Sequence, residues 1–174
     1  MKPHLLKAHQ FWKDHLRPTD NVIDATCGNG KDTAVLASLV PQGIVYAIDI
    51  QEDAINKART HVQSNNVTFL HQCHTRLPQN KPGDNRVRLV VYNLGYLHGG
   101  NKALTSKTET TLISVASALE MLPLGGALSI TCYPGHPEGA IEEKALQNWS
   151  KTLSQKVEWS TWKQGSPTLL IILN

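Results

Sequence analysis

The sequence has no uninterrupted apolar run that approaches the roughly 18 residues of a membrane-spanning helix. The segment from Met1 to Leu16 is too polar to be a secretory signal peptide. Cysteine is scarce as well: its three residues, an odd number, do not suit a disulfide framework and are typical of reduced thiols in a cytosolic protein. We therefore expect a cytoplasmic protein with no membrane association.

The sequence also lacks the ligand spacing of a metal site. Cys73 stands near His71 and His74, and Cys132 stands near His136, but no CxxC or HxxxH pair occurs. A closed zinc site usually needs four ligands at such spacings. We predict that the protein holds no metal ion.

The sequence has no large excess of charge of either sign: it contains 17 basic and 14 acidic residues, which give a net charge of +3. This balance permits an RNA partner without requiring one. The 174 residues, of which 40% are hydrophobic, suit a single compact domain spanning 1–174. No repeat or linker divides the chain.

Strand-like and helix-like segments alternate along the whole chain, which predicts an α/β fold with a mostly parallel sheet and helices on both faces. Leu5, Leu6, His9, Trp12 and Leu16 recur at helical spacing and predict an amphipathic N-terminal helix. The other predicted helices are 31–39, 52–63, 106–122 and 138–153. The predicted strands are 21–25, 44–50, 67–71, 87–92, 127–132, 157–162 and 168–173.

The last two predicted strands are joined by a short turn, so they must pair antiparallel. A seven-stranded sheet that is parallel except for a C-terminal hairpin is not expected of a plain dinucleotide-binding fold. The pattern resembles the Rossmann-like fold of class I methyltransferases.

The loop Asp-Ala-Thr-Cys-Gly-Asn-Gly-Lys-Asp-Thr, residues 24–33, follows the first predicted strand. Gly28 and Gly30 let the backbone approach a ligand, as in dinucleotide-binding turns, but Thr33 replaces the third glycine of that fingerprint. Asp24 and Asp32 repel a pyrophosphate and favour a cationic ligand such as the sulfonium of S-adenosylmethionine. The loop therefore disfavours a nicotinamide-dependent oxidoreductase.

Asp49 ends the second predicted strand, where a carboxylate can accept hydrogen bonds from both hydroxyls of a ribose. The alternative is that Asp49 only caps the helix that begins near Asp53. Gln51 contacts the adenosine or is an exposed helix start, and His74 borders the ligand or lies on the surface. The residues that we predict to bind the cofactor are Asp24, Thr26, Gly28, Asn29, Gly30, Asp32, Thr33, Asp49, Gln51, His74 and Asn93.

The fourth predicted strand leads into Asn93-Leu94-Gly95-Tyr96, at the edge of the sheet where ligands bind. This segment resembles the Asn-Pro-Pro-Tyr motif of amino-group methyltransferases, with both prolines replaced. The amide oxygen of Asn93 and the carbonyl of Leu94 can accept hydrogen bonds from an amine, while Tyr96 packs on an aromatic base. The alternative is an Asn-Gly turn with a core tyrosine.

A second segment at the same edge, residues 133–139, brings Tyr133 and His136 toward the acceptor. His136 can take a proton from the substrate ammonium, and His98 is a rival for that role. The predicted catalytic residues are Asn93, Tyr96, His98, Tyr133 and His136.

Residues 24–33, 47–51, 92–97 and 133–139 together resemble a small bacterial methyltransferase family once labelled "putative rRNA methylase" and now regarded as acting on tRNA. The resemblance implies methylation of 5-aminomethyl(-2-thio)uridine to 5-methylaminomethyl(-2-thio)uridine at the wobble position, with S-adenosylmethionine as cofactor. For the tRNA anticodon stem-loop as partner, Tyr96, Tyr133 and Trp149 are candidates to stack on bases. Lys102, Lys107 and Lys163 are candidates to meet phosphates.

Other functions stay open at this point. The same fold can methylate rRNA or a small molecule, and a non-catalytic module that binds S-adenosylmethionine needs no ordered acceptor loop. Apolar surface on the N-terminal helix or on the last hairpin can support a homodimer.

Overall fold

The structure, a computed structural model, describes residues 1–79, 86–95 and 106–174. In these ranges, strands alternate with helices as the sequence predicts. The strands are β1 (Asn21–Asp24), β2 (Val45–Asp49), β3 (Val67–His71), β4 (Val87–Asn93), β5 (Ala127–Cys132), β6 (Lys156–Ser160) and β7 (Thr168–Leu173). The helices are α1 (Pro3–His15), α2 (Lys31–Leu39), α3 (Glu52–His61), α4 (Thr108–Met121) and α5 (Pro137–Ser150).

The strands form one seven-stranded sheet in the order β3-β2-β1-β4-β5-β7-β6. Neighbours from β3 to β5 pair in parallel, whereas β7 pairs antiparallel with both β5 and β6. In the C-terminal hairpin, β7 therefore lies between β5 and β6, and β6 forms the edge of the sheet. This arrangement confirms the predicted class I methyltransferase fold.

Four predicted elements have the bounds that the structure shows: α2, β3, β5 and β7. The others differ by at most three residues at an end, which is the usual uncertainty for frayed termini. The central strands are easy to predict because they are apolar on both faces: β1 and β5 are buried along their whole length.

Two apolar layers hold the helices on the sheet. On one face α1 and α2 pack against alternate residues of β1, β2 and β4, with Trp12, Leu36 and Val40 at the centre. On the other face α4 and α5 pack against the remaining residues, with Val115 and Leu146 among those buried. Since the sheet is covered on both sides, the ends of its strands are where a ligand can reach it.

Helix α1 has a buried stripe that differs from the predicted one. His4, Ala8 and Trp12 are buried at i, i+4 and i+8, whereas Leu6, predicted to face the core, is 53% exposed. The Trp12 indole N–H donates a 2.9 Å hydrogen bond to Ser129 Oγ on β5. The stripe is rotated because Trp12 has a partner on the sheet and His4 packs against Tyr133 and Trp162, whereas Leu6 faces solvent.

None of the described helices is long and apolar enough to cross a membrane. The three cysteines, Cys27, Cys73 and Cys132, are free thiols.

Candidate active site

The carboxyl ends of the parallel strands bring the predicted site residues to one edge of the sheet. Asp24 ends β1, Asp49 ends β2 and Asn93 ends β4, while Tyr133 directly follows β5. Register places Cys132 of β5 opposite Thr168 of β7, so the connection from β6 to β7 lies at the same edge. We call this the carboxyl edge.

The glycine turn between β1 and α2 has the left-handed backbone that its sequence requires. Gly28 has φ 51° and Gly30 has φ 81°, a region that side chains disfavour. A Cβ on Gly30 would lie 2.9 Å from Val62 Cγ2 and 3.0 Å from Ala58 Cα. Gly30 therefore lets the turn pack directly against α3 and its C-terminal residue.

The Asp49 carboxylate is held between the glycine turn and the start of α3. Its Oδ2 accepts a 3.0 Å hydrogen bond from Gly28 N, and its Oδ1 accepts a 2.9 Å hydrogen bond from Gln51 N. Gln51, not Asp49, is the N-cap residue of α3, so the alternative in which Asp49 only caps that helix is wrong. Burial raises the pKa of Asp49, while these backbone N–H groups oppose that rise.

Asp24 lies beneath the turn and is completely buried. Its Oδ2 accepts a 2.6 Å hydrogen bond from the hydroxyl of Thr33, which is also inaccessible to solvent. Burial, together with the nearby charges of Asp32 and Asp49, raises the pKa of Asp24 to about 7, although the hydrogen bond from Thr33 opposes that rise. Three carboxylates thus share one small region, and a cationic ligand would relieve their repulsion.

Asn93 is tied to the glycine turn by two hydrogen bonds. Its backbone N–H donates to Thr26 Oγ1 at 2.6 Å, and its side-chain Nδ2 donates to Asp32 Oδ2 at 2.8 Å. Thr26 and Asp32, both predicted to bind the cofactor, therefore also hold the predicted acceptor residue in place.

Helix α1 adds a residue to this network that the sequence analysis did not assign to it. His9 Nε2 lies 2.7 Å from Asp32 Oδ1, and both side chains are mostly buried. An ionised carboxylate only accepts hydrogen bonds, so the ring nitrogen is the donor. Both oxygens of Asp32 are thereby occupied, one by α1 and one by the acceptor loop.

Gly95 follows the predicted acceptor residues Asn93 and Leu94, and it forms two hydrogen bonds with Ser106. Gly95 N donates to Ser106 Oγ at 2.9 Å, and Ser106 N donates to Gly95 O at 3.1 Å. Ser106 Oγ in turn donates to Glu142 Oε2 at 2.8 Å, while Thr111 Oγ1 donates to Glu142 Oε1 at 2.6 Å. Burial raises the pKa of Glu142, and the two hydroxyls oppose that rise. Ser106 and Glu142 could not be predicted from the sequence, since only the tertiary contact relates them to Gly95.

Tyr133 and His136 stand next to Gly95. A Cβ built on Gly95 would lie 3.8 Å from Tyr133 Cβ and 3.9 Å from His136 Nε2. His136 is the N-cap of α5, and its Nδ1 accepts a 3.1 Å hydrogen bond from Gly139 N. Burial, with the nearby Asp32 charge, raises the pKa of Tyr133 to about 12. The structure therefore brings together three of the predicted catalytic residues: Asn93, Tyr133 and His136.

Other predicted residues lie elsewhere or outside the described ranges. Tyr96 and His98 are not among the described residues. His74 follows β3, with its ring edge-on to Tyr92 at 6.0 Å, and burial lowers its pKa. Trp149 packs near the end of α5, beside Gln155 and Asn174. It is at the opposite edge of the sheet, so its predicted role in base stacking is wrong.

The described residues suit S-adenosylmethionine. Asn29 Oδ1, in the glycine turn, is buried and has no hydrogen-bond partner in the described part of the chain. A buried amide oxygen of this kind needs a donor, and a ligand ammonium would supply one. Asp49 presents a carboxylate at the position where such folds hold a ribose. No group of three or more His, Cys, Asp and Glu side chains within residues 1–79, 86–95 and 106–174 is arranged to hold a metal ion.

Residues 45–168 match the sequence profile of the family described as "Putative rRNA methylase". A curated relative in Arabidopsis thaliana, named "tRNA (mnm(5)s(2)U34)-methyltransferase, chloroplastic", is 36% identical over 159 residues. The match covers 84% of the chain, and the chain spans 58% of the length of that relative.

Solved structures agree with the fold over almost the whole chain. A "putative rRNA-methylase" from Clostridium thermocellum is 30% identical, with a TM-score of 0.89 over 99% of this chain and 98% of that one. A "putative methyltransferase" from Streptococcus mutans "in complex with SAH" is 28% identical, with a TM-score of 0.84 over the same shares.

Proposed function

Because the chain belongs to the family described as "Putative rRNA methylase", we propose that it is an S-adenosylmethionine-dependent N-methyltransferase. Its proposed reaction converts 5-aminomethyl(-2-thio)uridine to 5-methylaminomethyl(-2-thio)uridine at the wobble position of tRNA. The similarity to a plant protein named for a tRNA methyltransferase supports this substrate.

The orientation of the Asn93 amide is the observation that carries the proposal. Its Nδ2 donates to Asp32, whose other oxygen is bound by His9. The amide is therefore held in one of its two orientations, and its Oδ1 is left to accept a hydrogen bond. An amine N–H is the donor that this oxygen suits, and accepting that bond would direct the nitrogen lone pair toward the methyl group.

The cofactor supplies a methyl group bonded to a positively charged sulfur. Asn29 would accept a hydrogen bond from its ammonium and Asp49 would accept from its ribose hydroxyls, while Asp24 and Asp32 would provide negative charge that favours a cationic ligand. Gly28 and Gly30 leave the turn without side chains that would obstruct it. The remaining predicted contacts, from Gln51 and His74, belong to the adenosine end.

Methyl transfer to nitrogen needs a neutral amine but little further acid-base chemistry. Tyr133, with a pKa raised to about 12, stays protonated near neutral pH and does not act as a base. His136 uses its Nδ1 lone pair for the Gly139 N–H, so its neutral ring carries a proton on Nε2. We assign both residues to positioning the acceptor, and the substrate ammonium would lose its proton to solvent before the neutral amine attacks the methyl group.

The nearest alternative is methylation of rRNA or of a small molecule by the same site. We expect tRNA to be the macromolecular partner and the cytoplasm to be the location of the reaction, and the predicted homodimer stays a prediction. The carboxylate-rich site also argues against the nicotinamide-dependent alternative.

The test is transfer of labelled methyl groups from S-adenosylmethionine to purified tRNA, rRNA and free 5-aminomethyluridine in parallel. We expect label in tRNA that carries 5-aminomethyluridine and none in tRNA from cells that lack this nucleoside. Label in rRNA alone, or in the free nucleoside alone, would overturn the tRNA assignment while leaving the methyltransferase assignment intact. Binding of S-adenosylmethionine without transfer to any acceptor would favour a non-catalytic module.

A further inference from the structure

An exposed tryptophan lies at the carboxyl edge without a role in the reaction described above. Trp162 belongs to the connection between β6 and β7 and is 40% exposed. Single exposed apolar side chains are common on protein surfaces, so the exposure of Trp162 carries no argument without further support.

The first support is a contact that joins Trp162 to the acceptor region. The imidazole of His4, on α1, packs edge-on against Tyr133 with ring centroids 5.7 Å apart, and against Trp162 with centroids 6.2 Å apart. His4 is 97% buried in this position, since its exposed fraction is 3%. The buried His4 ring therefore lies between the Trp162 indole and the Tyr133 side chain.

The second support is that hydrogen bonds hold the turn that directly follows Trp162. Ser166 N donates to Lys163 O at 3.1 Å, Ser166 Oγ donates to the same oxygen at 2.7 Å, and Lys163 N approaches Ser166 Oγ at 3.2 Å. A Cβ on Gly135 would lie 3.7 Å from Gly165 O. The turn thus lies against the segment between β5 and α5 that contains Tyr133.

The charge beside the indole has the sign that nucleic acid requires. Lys163 follows Trp162 in the chain and is exposed, and Lys2 is exposed and lies two residues before His4, whose ring contacts the indole. An aromatic face with adjacent cations is the usual arrangement for single-stranded RNA, in which bases stack and phosphates meet lysines.

We propose that Trp162 is a stacking platform for an unpaired nucleobase next to the target nucleotide, in the loop of the RNA substrate. The inference rests on the proposed function for its choice of RNA. His4 positions the indole relative to Tyr133, and Lys2 and Lys163 contact the phosphates of the same strand. Such a platform would hold the loop while one base enters the acceptor region.

The test uses an anticodon stem-loop RNA and the variants Trp162→Ala and Trp162→Phe, with Leu124→Ala as control. Leu124 is 89% exposed and precedes β5, at the opposite edge of the sheet. Stacking on an aromatic residue contributes about 1 to 3 kcal/mol for each base, so we expect Trp162→Ala to weaken RNA binding at least about fivefold. Trp162→Phe should stay within about threefold, and Leu124→Ala should match the wild type.

A second measurement separates stacking from a merely structural role. RNA should quench part of the tryptophan fluorescence of the wild type, and Trp162→Phe should lose that part while still binding RNA. Affinity for S-adenosylmethionine, measured by calorimetry, should be the same in all four proteins and shows that they are folded.

The outcomes distinguish this inference from the proposed function. Wild-type binding of the stem-loop with an unchanged affinity in Trp162→Ala would overturn the platform even if tRNA is methylated. Loss of affinity in Trp162→Ala without methylation of tRNA by the wild type would support the platform and overturn the wobble-uridine reaction. Absence of wild-type binding to the stem-loop would overturn the platform, and a protein partner would then be the better explanation of the exposed indole.

Discussion

Asn93 donates a 2.8 Å hydrogen bond from its side chain to Asp32, across 61 positions of sequence. The bond links the segment proposed to hold the methyl acceptor to the turn proposed to hold the methyl donor. Methyl transfer requires the reacting atoms of the donor and the acceptor to be aligned. A direct hydrogen bond between the two segments helps to keep them in register.

Replacing Asn93 with Ala removes the oxygen proposed to accept from the amine. We expect kcat to fall by about a hundredfold to a thousandfold, as for the loss of other positioned hydrogen-bonding groups in active sites. The dissociation constant for S-adenosylmethionine should change by less than about threefold. Calorimetry and single-turnover methylation measure the two quantities, and unchanged transfer would remove Asn93 from the mechanism.

Replacing His9 with Leu removes the donor to Asp32 Oδ1 and frees that carboxylate to rotate. The lost hydrogen bond to a charged group corresponds to roughly 1.5 to 3 kcal/mol, so we expect kcat to fall about tenfold or more. His9→Gln keeps an N–H donor and should recover part of the rate. If Leu and Gln variants have equal rates, His9 does not act through its hydrogen bond.

Asp24 should make the binding of S-adenosylmethionine depend on pH. Its pKa in the free protein is raised to about 7 by burial, so below that pH a cationic ligand must displace a proton to gain the negative charge. We expect the dissociation constant to rise roughly fivefold to tenfold as pH falls from 7.5 to 6. Asp24→Asn should bind more weakly at pH 7.5 and show a flatter profile. An equally steep profile in that variant would assign the pH dependence to another group.

The same carboxyl predicts how the stability of the free protein changes with pH. Because the folded pKa is raised above the unfolded value of about 3.9, the folded state holds the proton more tightly. The stabilisation that Asp24 contributes is full below about pH 4 and is lost as pH rises to about 7. The difference in melting temperature between Asp24→Asn and the wild type should therefore be more favourable to the variant at pH 8 than at pH 4. Scanning calorimetry without ligand checks the sign.

Glu142 should control the acceptor segment through Ser106. Glu142→Ala leaves the buried hydroxyl of Thr111 and the partly buried hydroxyl of Ser106 without their acceptor, at a cost of roughly 1 to 3 kcal/mol in the free energy of unfolding. The substitution also frees Ser106, which binds Gly95, so that the acceptor segment is held less firmly. We therefore expect kcat to fall about tenfold with little change in binding of S-adenosylmethionine. Glu142→Gln keeps one acceptor oxygen and should be milder. Glu120→Ala, an exposed site on α4, is the control, and equal kcat in it and Glu142→Ala would contradict this role.

The backbone framework of the site could be predicted from the sequence because it follows from local rules. Apolar strands that end in Asp24, Asp49 and Asn93 must meet at one edge of a parallel sheet. Glycines at positions 28 and 30 indicate the turn between them. These residues, and the bounds of α2, β3, β5 and β7, need no knowledge of distant contacts.

The side-chain partners could not be predicted, since they join segments that are far apart in sequence. His9 has the spacing of a core residue on an amphipathic helix, and only its contact with Asp32 distinguishes it from one. Glu142 has the pattern of an ordinary helical glutamate until Ser106 and Thr111 are placed beside it. Trp149, and not Trp162, was predicted from the sequence to stack on bases, and only the topology shows that Trp162 lies at the carboxyl edge and Trp149 at the opposite one.

The identity of the methylated nucleoside tests the central claim most directly. Purified protein would be incubated with S-adenosylmethionine and with tRNA that carries 5-aminomethyluridine at the wobble position, and the digested nucleosides would be identified by mass spectrometry. We predict that 5-methylaminomethyluridine appears with the wild type and is reduced about a hundredfold or more with Asn93→Ala. A methyl group found on any other nucleoside, with 5-aminomethyluridine unchanged, would contradict the proposed function.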